Sequence, residues 1–159
     1  MAASRLVIGI GNPLRGDDGV GALLAEQAAV LTAADPAGPV AVRCMQQLTP
    51  ELAAELARLQ RVLFIDAWPA PAGAAPQLQP LSPAGAAAGT SAGAGADSHR
   101  LEPAALLAVS QALYGRAPEA QLLLVPATAF DHGTALSAEL RAALPQARAL
   151  LRQWLAGHA

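Results

Sequence analysis

Short apolar runs alternate along the chain with longer segments in which apolar residues recur at helical spacing. Apolar runs rich in β-branched residues are typical of strands that are covered on both faces. They predict strands over about 5–11, 40–46, 62–65 and 121–125, and weak alternation over 77–81 predicts an edge strand. Helical spacing together with cap and turn residues predicts helices over about 18–33, 50–59, 102–113 and 137–155, the last kinked or reset at Pro145.

Strands and helices alternate over the first half of the chain, which is typical of a parallel sheet. We therefore predict an α/β fold of three layers, with a mostly parallel five-stranded sheet, one strand antiparallel, and helices on both faces. A length of 159 residues indicates a single domain over 1–159. From Pro83 to Ala96 the chain contains only Ala, Gly, Ser, Thr and Pro, which predicts a mobile loop.

Composition narrows the possible partners and the compartment. The net charge is −2 and there is no basic run, which argues against a nucleic-acid-binding protein. Mean hydropathy is +0.35, largely because of alanine, and no stretch approaches the length of a membrane span. We expect a cytoplasmic protein without a signal peptide. The single cysteine, Cys44, excludes an internal disulfide and a cysteine zinc cluster, and its place in a predicted strand indicates a buried side chain.

The segment from Arg5 to Gly21, RLVIGIGNPLRGDDGVG, is a predicted strand, a glycine-rich turn and a helix start with two adjacent acids. A dinucleotide fingerprint would need a third glycine where Leu14 stands, and the two acids would repel a pyrophosphate. A phosphate-binding P-loop is excluded more firmly, because the chain contains no lysine. The pair of acids therefore indicates a site for cations.

Polar side chains follow three predicted elements, at the edge of the sheet where ligands bind in α/β folds. Asp17 and Asp18 follow the first strand, Asp66 follows the third, and His99 lies between the predicted loop and the third helix. Two carboxylates and one imidazole could bind a divalent metal there, with positions open for substrate. Each group also has an ordinary structural explanation: a helix cap for the paired acids, backbone hydrogen bonds for Asp66 and a surface position for His99.

Other polar residues are weaker candidates. Asp131 and His132 form a possible competing pair, but they lie in a predicted turn before Gly133, and His158 belongs to the C-terminal tail. We therefore do not place them in the site.

Five segments taken in order carry a resemblance to a known family: GIGNPLRGDDGVG, QQLTPELA (46–53), VLFIDA (62–67), SHRLEPAALL (98–107) and LLLVPATAF (122–130). Together they resemble the nickel-iron hydrogenase maturation endopeptidases. The second segment is similar to the branch that serves soluble hydrogenases, including NAD-reducing types.

The resemblance implies an endopeptidase that removes a C-terminal peptide from the hydrogenase large-subunit precursor after nickel has been inserted. It implies metal contact through Asp18, Asp66 and His99, where family members also carry glutamate at the first of these positions. The nickel would be carried by the substrate, and zinc or cadmium could replace it in a crystal. We expect a monomer without nucleic-acid or membrane partners.

Other residues near the predicted ligands have supporting roles in this interpretation. Asp17 would support the turn, and the loop would be shaped by Gly11, Asn12 and Gly16. The cleft would be lined by Gln46, Gln47 and Thr49. Two other functions stay open: a non-catalytic module that checks for nickel in the precursor, and a small-molecule metallohydrolase with its own zinc.

Overall fold

Five strands form one mixed sheet at the centre of the structure, a computed structural model that describes residues 4–36, 38–71, 73–83 and 100–157. The strands are β1 (Arg5–Ile10), β2 (Ala41–Met45), β3 (Arg61–Pro69), β4 (Gln77–Leu81) and β5 (Glu119–Ala127). Their order across the sheet is β2-β1-β3-β5-β4. β1 is parallel to β2 and β3, β3 is parallel to β5, and β4 runs antiparallel at the edge. The predicted α/β fold with one antiparallel strand is confirmed.

Helices cover both faces of the sheet. They are α1 (Val20–Leu31), α2 (Leu52–Leu56), α3 (Pro103–Tyr114) and α4 (Ala138–Ala156). Alternate residues of β3 divide between two hydrophobic cores, as period-two side-chain geometry requires. Leu63 and Ile65 pack with α1 and α4, whereas Val62 and Phe64 pack with α2 and α3. The burial of these large side chains on both sides explains why the central strands are continuous apolar runs.

Several predicted boundaries need correction. A 3₁₀ turn, Gly16–Gly19, precedes α1, so the helix begins at Val20. Asp66 does not end its strand: β3 continues to Pro69 because its last four residues pair with β5. Helix α4 is continuous through Pro145, which lies on its exposed side.

The prediction that Cys44 is buried was wrong. Cys44 is exposed because β2 lies at the edge of the sheet and is half open to solvent. Residues 84–99 lie outside the described part of the chain, and so do most of the predicted loop, His99 and, at the C-terminus, His158. Among the described helices, none has the length and apolar character needed to cross a bilayer.

Candidate active site

Two close backbone approaches direct the chain from β1 into the paired acids. A Cβ on Gly9 would lie 2.3 Å from the carbonyl oxygen of Gly21, so α1 begins directly against β1. Gly11 has φ +132°, and a Cβ there would lie 2.1 Å from the backbone oxygen of Asp18. The backbone N–H of Asn12 donates to Asp18 Oδ2 at 2.7 Å. The turn therefore folds back on Asp18 and fixes its carboxylate over the end of β1.

Asp17 points away from Asp18 and is fully buried. Its oxygens accept four hydrogen bonds, from the backbone N–H groups of Thr128 (2.9 Å), Ala129 (3.0 Å) and Ser137 (2.7 Å) and from the Ser137 hydroxyl (2.7 Å). Burial alone would raise the pKa of Asp17, but these hydrogen bonds outweigh it and lower that pKa. Asp17 thus joins the turn to the end of β5 and the start of α4.

This arrangement settles the helix-cap alternative for the paired acids. No side-chain hydrogen bond caps the start of α1, which follows Gly19, and none caps the preceding 3₁₀ turn. Asp17 is structural, as predicted, although its partners are more than 100 residues away in sequence.

Asp66 lies on β3 just past the paired part of β1 and β3. The last paired residues of the two strands are Gly9 and Ile65, so Asp66 is the first residue of β3 beyond that pairing. Its Oδ2 accepts one hydrogen bond from Arg100 Nη2 at 3.3 Å. Its Oδ1 is buried and has no hydrogen-bond partner among the residues that the structure describes. A buried carboxylate oxygen without a partner is costly in a folded protein, and it indicates that a ligand completes the site.

The pKa of Asp66 also indicates that this carboxylate lies in an unusual environment. Burial raises the pKa of Asp66 to about 7. The Arg100 guanidinium and, less strongly, the backbone N–H of Ala67 oppose this shift, and the negative charges of Asp18 and Glu102 add to it. The structure therefore brings Asp18 and Asp66 close enough for their charges to interact, as expected for carboxylates at one edge of a sheet.

Asp18 opens into a cleft of about 130 Å³ beside this pair. The lining residues are Asn12, Arg15, Asp18, Gln46, Gln47 and Arg100. The predicted placement of Gln46 and Gln47 in the cleft is confirmed, whereas Thr49 lies outside its lining. Thr49 instead contributes its carbonyl oxygen to the turn before α2, accepting from the Leu52 N–H at 3.1 Å.

The sequence reasoning missed the two arginines of the cleft. Arg100 follows His99 directly in the sequence. A positively charged residue next to a predicted metal ligand was the signal that could have placed Arg100 in the site. Arg15 directly precedes Gly16, one of the residues predicted to shape the loop, and Gly16 has a positive φ of +57°.

The donor set suits a divalent cation. Two carboxylates, one with a free buried oxygen, provide the charge and the oxygen ligands that such ions prefer. Among the described residues, no group of three acidic, cysteine or histidine side chains could hold a metal ion. The third predicted ligand, His99, lies outside the described residues. Asp131 and His132 are exposed in the loop after β5.

A larger cleft of about 340 Å³ lies elsewhere, between residues 71 and 73–76 on one side and the first half of α4 on the other. Its lining is mainly alanine and proline, with Thr128, Glu139 and Gln146 as polar members. It lacks a pair of interacting titratable groups, so the smaller cleft beside Asp18 is the better candidate for catalysis.

Solved structures with the same fold cover almost the whole chain. A hydrogenase 2 maturation peptidase from a Thaumarchaeota archaeon is 25% identical, with a TM-score of 0.60 over 96% of this chain and 97% of that one. The chain has the fold of the nickel-iron hydrogenase maturation proteases. HycI from Thermococcus kodakarensis (20% identity, TM-score 0.64, 96% and 91% coverage) and HybD from E. coli (19%, 0.64, 94% and 93%) also match.

No protein-family model and no curated protein matches the chain. The resemblance to the maturation proteases that the sequence motifs carry is confirmed by these structures. The narrower branch that serves soluble hydrogenases stays a prediction.

Proposed function

We propose that this chain is an endopeptidase that removes a C-terminal peptide from the nickel-loaded precursor of a nickel-iron hydrogenase large subunit. The observation that carries the proposal is the largely buried Asp66 carboxylate, which lies beside Asp18 and has one oxygen without a hydrogen-bond partner among the described residues. The shared fold with proteins named as hydrogenase maturation peptidases supports it.

Nickel enters this scheme as part of the substrate. Asp18 and Asp66 bind it through carboxylate oxygens, and His99 supplies an imidazole as the third contact. A precursor without nickel would bring no cation to Asp18 and Asp66, so it would lack the charge attraction that holds the loaded precursor. The metal in the precursor therefore determines whether the substrate docks productively, so that only the correct substrate assembles the site.

Hydrolysis requires a water molecule to add to the peptide carbonyl and a proton to reach the departing amine. The bound cation supplies a positive charge that polarises the carbonyl. The Oδ1 oxygen of Asp66, which has no hydrogen-bond partner among the described residues, is suited to accept a proton from water and deliver it to the amine.

The test is intact-mass spectrometry of purified precursor, with and without nickel, after incubation with the chain. We expect a C-terminal peptide to be lost only from the nickel-loaded precursor. Asp18→Asn and His99→Ala should abolish the cleavage, whereas Asp131→Asn and His132→Ala, changes of the same type at exposed positions, should not.

Two other results would overturn the proposal. Binding of the loaded precursor without any change in its mass would indicate a nickel checkpoint module. Stoichiometric zinc in the purified chain, together with hydrolysis of small substrates and an intact precursor, would indicate a metallohydrolase.

A further inference from the structure

We propose that Arg100 is a built-in counter-ion that occupies the cation position at Asp66 and must leave before a metal ion can bind there. This inference rests on the proposed function and assigns a role to a residue outside the predicted ligand set. It makes Arg100 a positioning residue that controls access of cations to the site.

The geometry of the ion pair shows that it is weakly held. Arg100 contacts Asp66 through one nitrogen at 3.3 Å. In the same chain, Arg43 binds Glu55 through two nitrogens, at 2.7 and 2.9 Å. Strong arginine–carboxylate pairs are short and bidentate, like the second of these. The Arg100 pair therefore neutralises Asp66 without making the contacts that would hold the guanidinium in place.

Asp66 nevertheless needs a positive charge. It is largely buried, and the negative charge of Asp18 acts on it. The guanidinium reaches only Oδ2 and leaves Oδ1 without a partner in the described part of the chain. A spherical ion can contact both carboxylates, whereas the single contact of Arg100 reaches only one, so the metal ion is the better occupant once it is available.

The displaced side chain already has a place to go. Arg100 lines the cleft together with Arg15, Gln46 and Gln47, and its side chain is 33% exposed. Rotated away from Asp66, the guanidinium can bond a carbonyl or carboxylate oxygen of a peptide in the cleft. A metal ion that arrives within a protein substrate brings such oxygens with it, whereas a free metal ion does not. The device therefore disfavours free metal ions relative to substrate-borne ones.

The test is calorimetric titration of the purified chain with nickel ions. We expect Arg100→Gln to bind nickel at least about tenfold more tightly than the wild type, because a competing cation has been removed. Arg15→Gln is the matched control, since it removes the same charge from the same cleft without a contact to Asp66. Its affinity should stay within about threefold of the wild type. Far-UV circular dichroism checks that each variant is folded.

A double-mutant cycle locates the effect. In an Asp66→Asn background, Arg100→Gln should change nickel affinity no more than Arg15→Gln does. Equal effects of the two arginine variants, or no nickel binding by Arg100→Gln in the millimolar range, would overturn the counter-ion role.

These outcomes are separable from the proposed function. Equal effects of the two variants alongside cleavage of the loaded precursor by the wild type would remove the role of Arg100 and leave the protease intact. Selective tightening by Arg100→Gln without any cleavage would do the opposite.

Discussion

Asp17 and Asp66 are two aspartates at the same edge of the sheet, and the protein treats them in opposite ways. Asp17 is fully buried and accepts four hydrogen bonds, which lower its pKa. Asp66 has a long contact to Arg100, an oxygen with no hydrogen-bond partner in the described part of the chain, and a pKa of about 7.

The difference shows how to tell a structural carboxylate from a functional one. A carboxylate whose oxygens all accept hydrogen bonds from backbone N–H groups stabilises the fold and has no free oxygen to bind a ligand. A buried carboxylate that lacks partners costs stability, and such costs are typical of sites that are completed by a ligand. The paired acids of the DD motif separate in the same way: Asp17 holds the turn, and Asp18 faces the cleft.

The largest expected effect on stability is at Asp17. In Asp17→Asn, an amide NH₂ would face N–H donors that now find an oxygen, so we expect a loss of about 3 kcal/mol in the free energy of unfolding. Urea denaturation measures it. A loss below about 1 kcal/mol would mean that these hydrogen bonds do not hold the turn in place.

Ser137 tests the same structural cluster from the other side. Its hydroxyl donates to Asp17 at 2.7 Å and accepts from the Leu140 N–H at 3.1 Å as the N-cap of α4. Ser137→Ala loses these two contacts and the hydrogen bond that the Ser137 hydroxyl accepts from Thr128 Oγ1 at 3.2 Å, and it should destabilise by about 2 kcal/mol in the same assay. Ser137→Thr keeps the hydroxyl and should recover most of the stability.

Asp66→Asn should raise the free energy of unfolding, whereas the changes at Asp17 and Ser137 lower it. The native carboxyl keeps its proton up to a pKa of about 7, whereas an unfolded aspartate loses it near 3.8. The native state therefore binds more protons between these values, and wild-type stability falls as pH rises through that window. A shift of this size corresponds to at most about 4 kcal/mol.

Loss of the Arg100 contact reduces the gain, so we expect Asp66→Asn to be about 1–2 kcal/mol more stable than the wild type at pH 8. The difference should vanish below about pH 3, where Asp66 is protonated in both states because the pH lies under the unfolded value of 3.8. Thermal unfolding at the two pH values measures it, and a variant that is less stable at pH 8 would contradict the contrast with Asp17.

Asp131 provides the smallest expected effect. It is exposed in the loop after β5, so Asp131→Asn should change the free energy of unfolding by less than about 0.5 kcal/mol. A larger change in the urea assay would show that charge loss anywhere at this edge of the sheet matters, which would weaken the comparison of Asp17 with Asp66.

The sequence predicts the fold well because its signals are local. Runs such as Val62 to Ile65 carry the strand pattern in consecutive residues, and the helical spacing lies within single segments. The end of β3 was missed because Ala67–Pro69 become a strand only by pairing with β5. The exposure of Cys44 depends on the position of β2 at the sheet edge, which is a property of strand order and not of the strand itself.

In the candidate site, too, the local features could be predicted from the sequence and the long-range contacts could not. Asp18 and Asp66 could be grouped from the sequence because parallel strands end at one edge of a sheet. The hydrogen bonds of Asp17 join residues 111 to 120 positions apart, so local patterns could not show which acid of the pair is structural. The contact of Arg100 with Asp66 spans 34 positions and escaped notice for the same reason.

The most direct test of the account is the cleavage of nickel-loaded precursor by Asp66→Asn, followed by intact-mass spectrometry at pH 8 beside the wild type. We predict that the wild type removes the C-terminal peptide, and that the variant, although at least as stably folded, does not. Cleavage by Asp66→Asn at the wild-type rate would contradict the claim that this unsatisfied carboxylate serves the reaction.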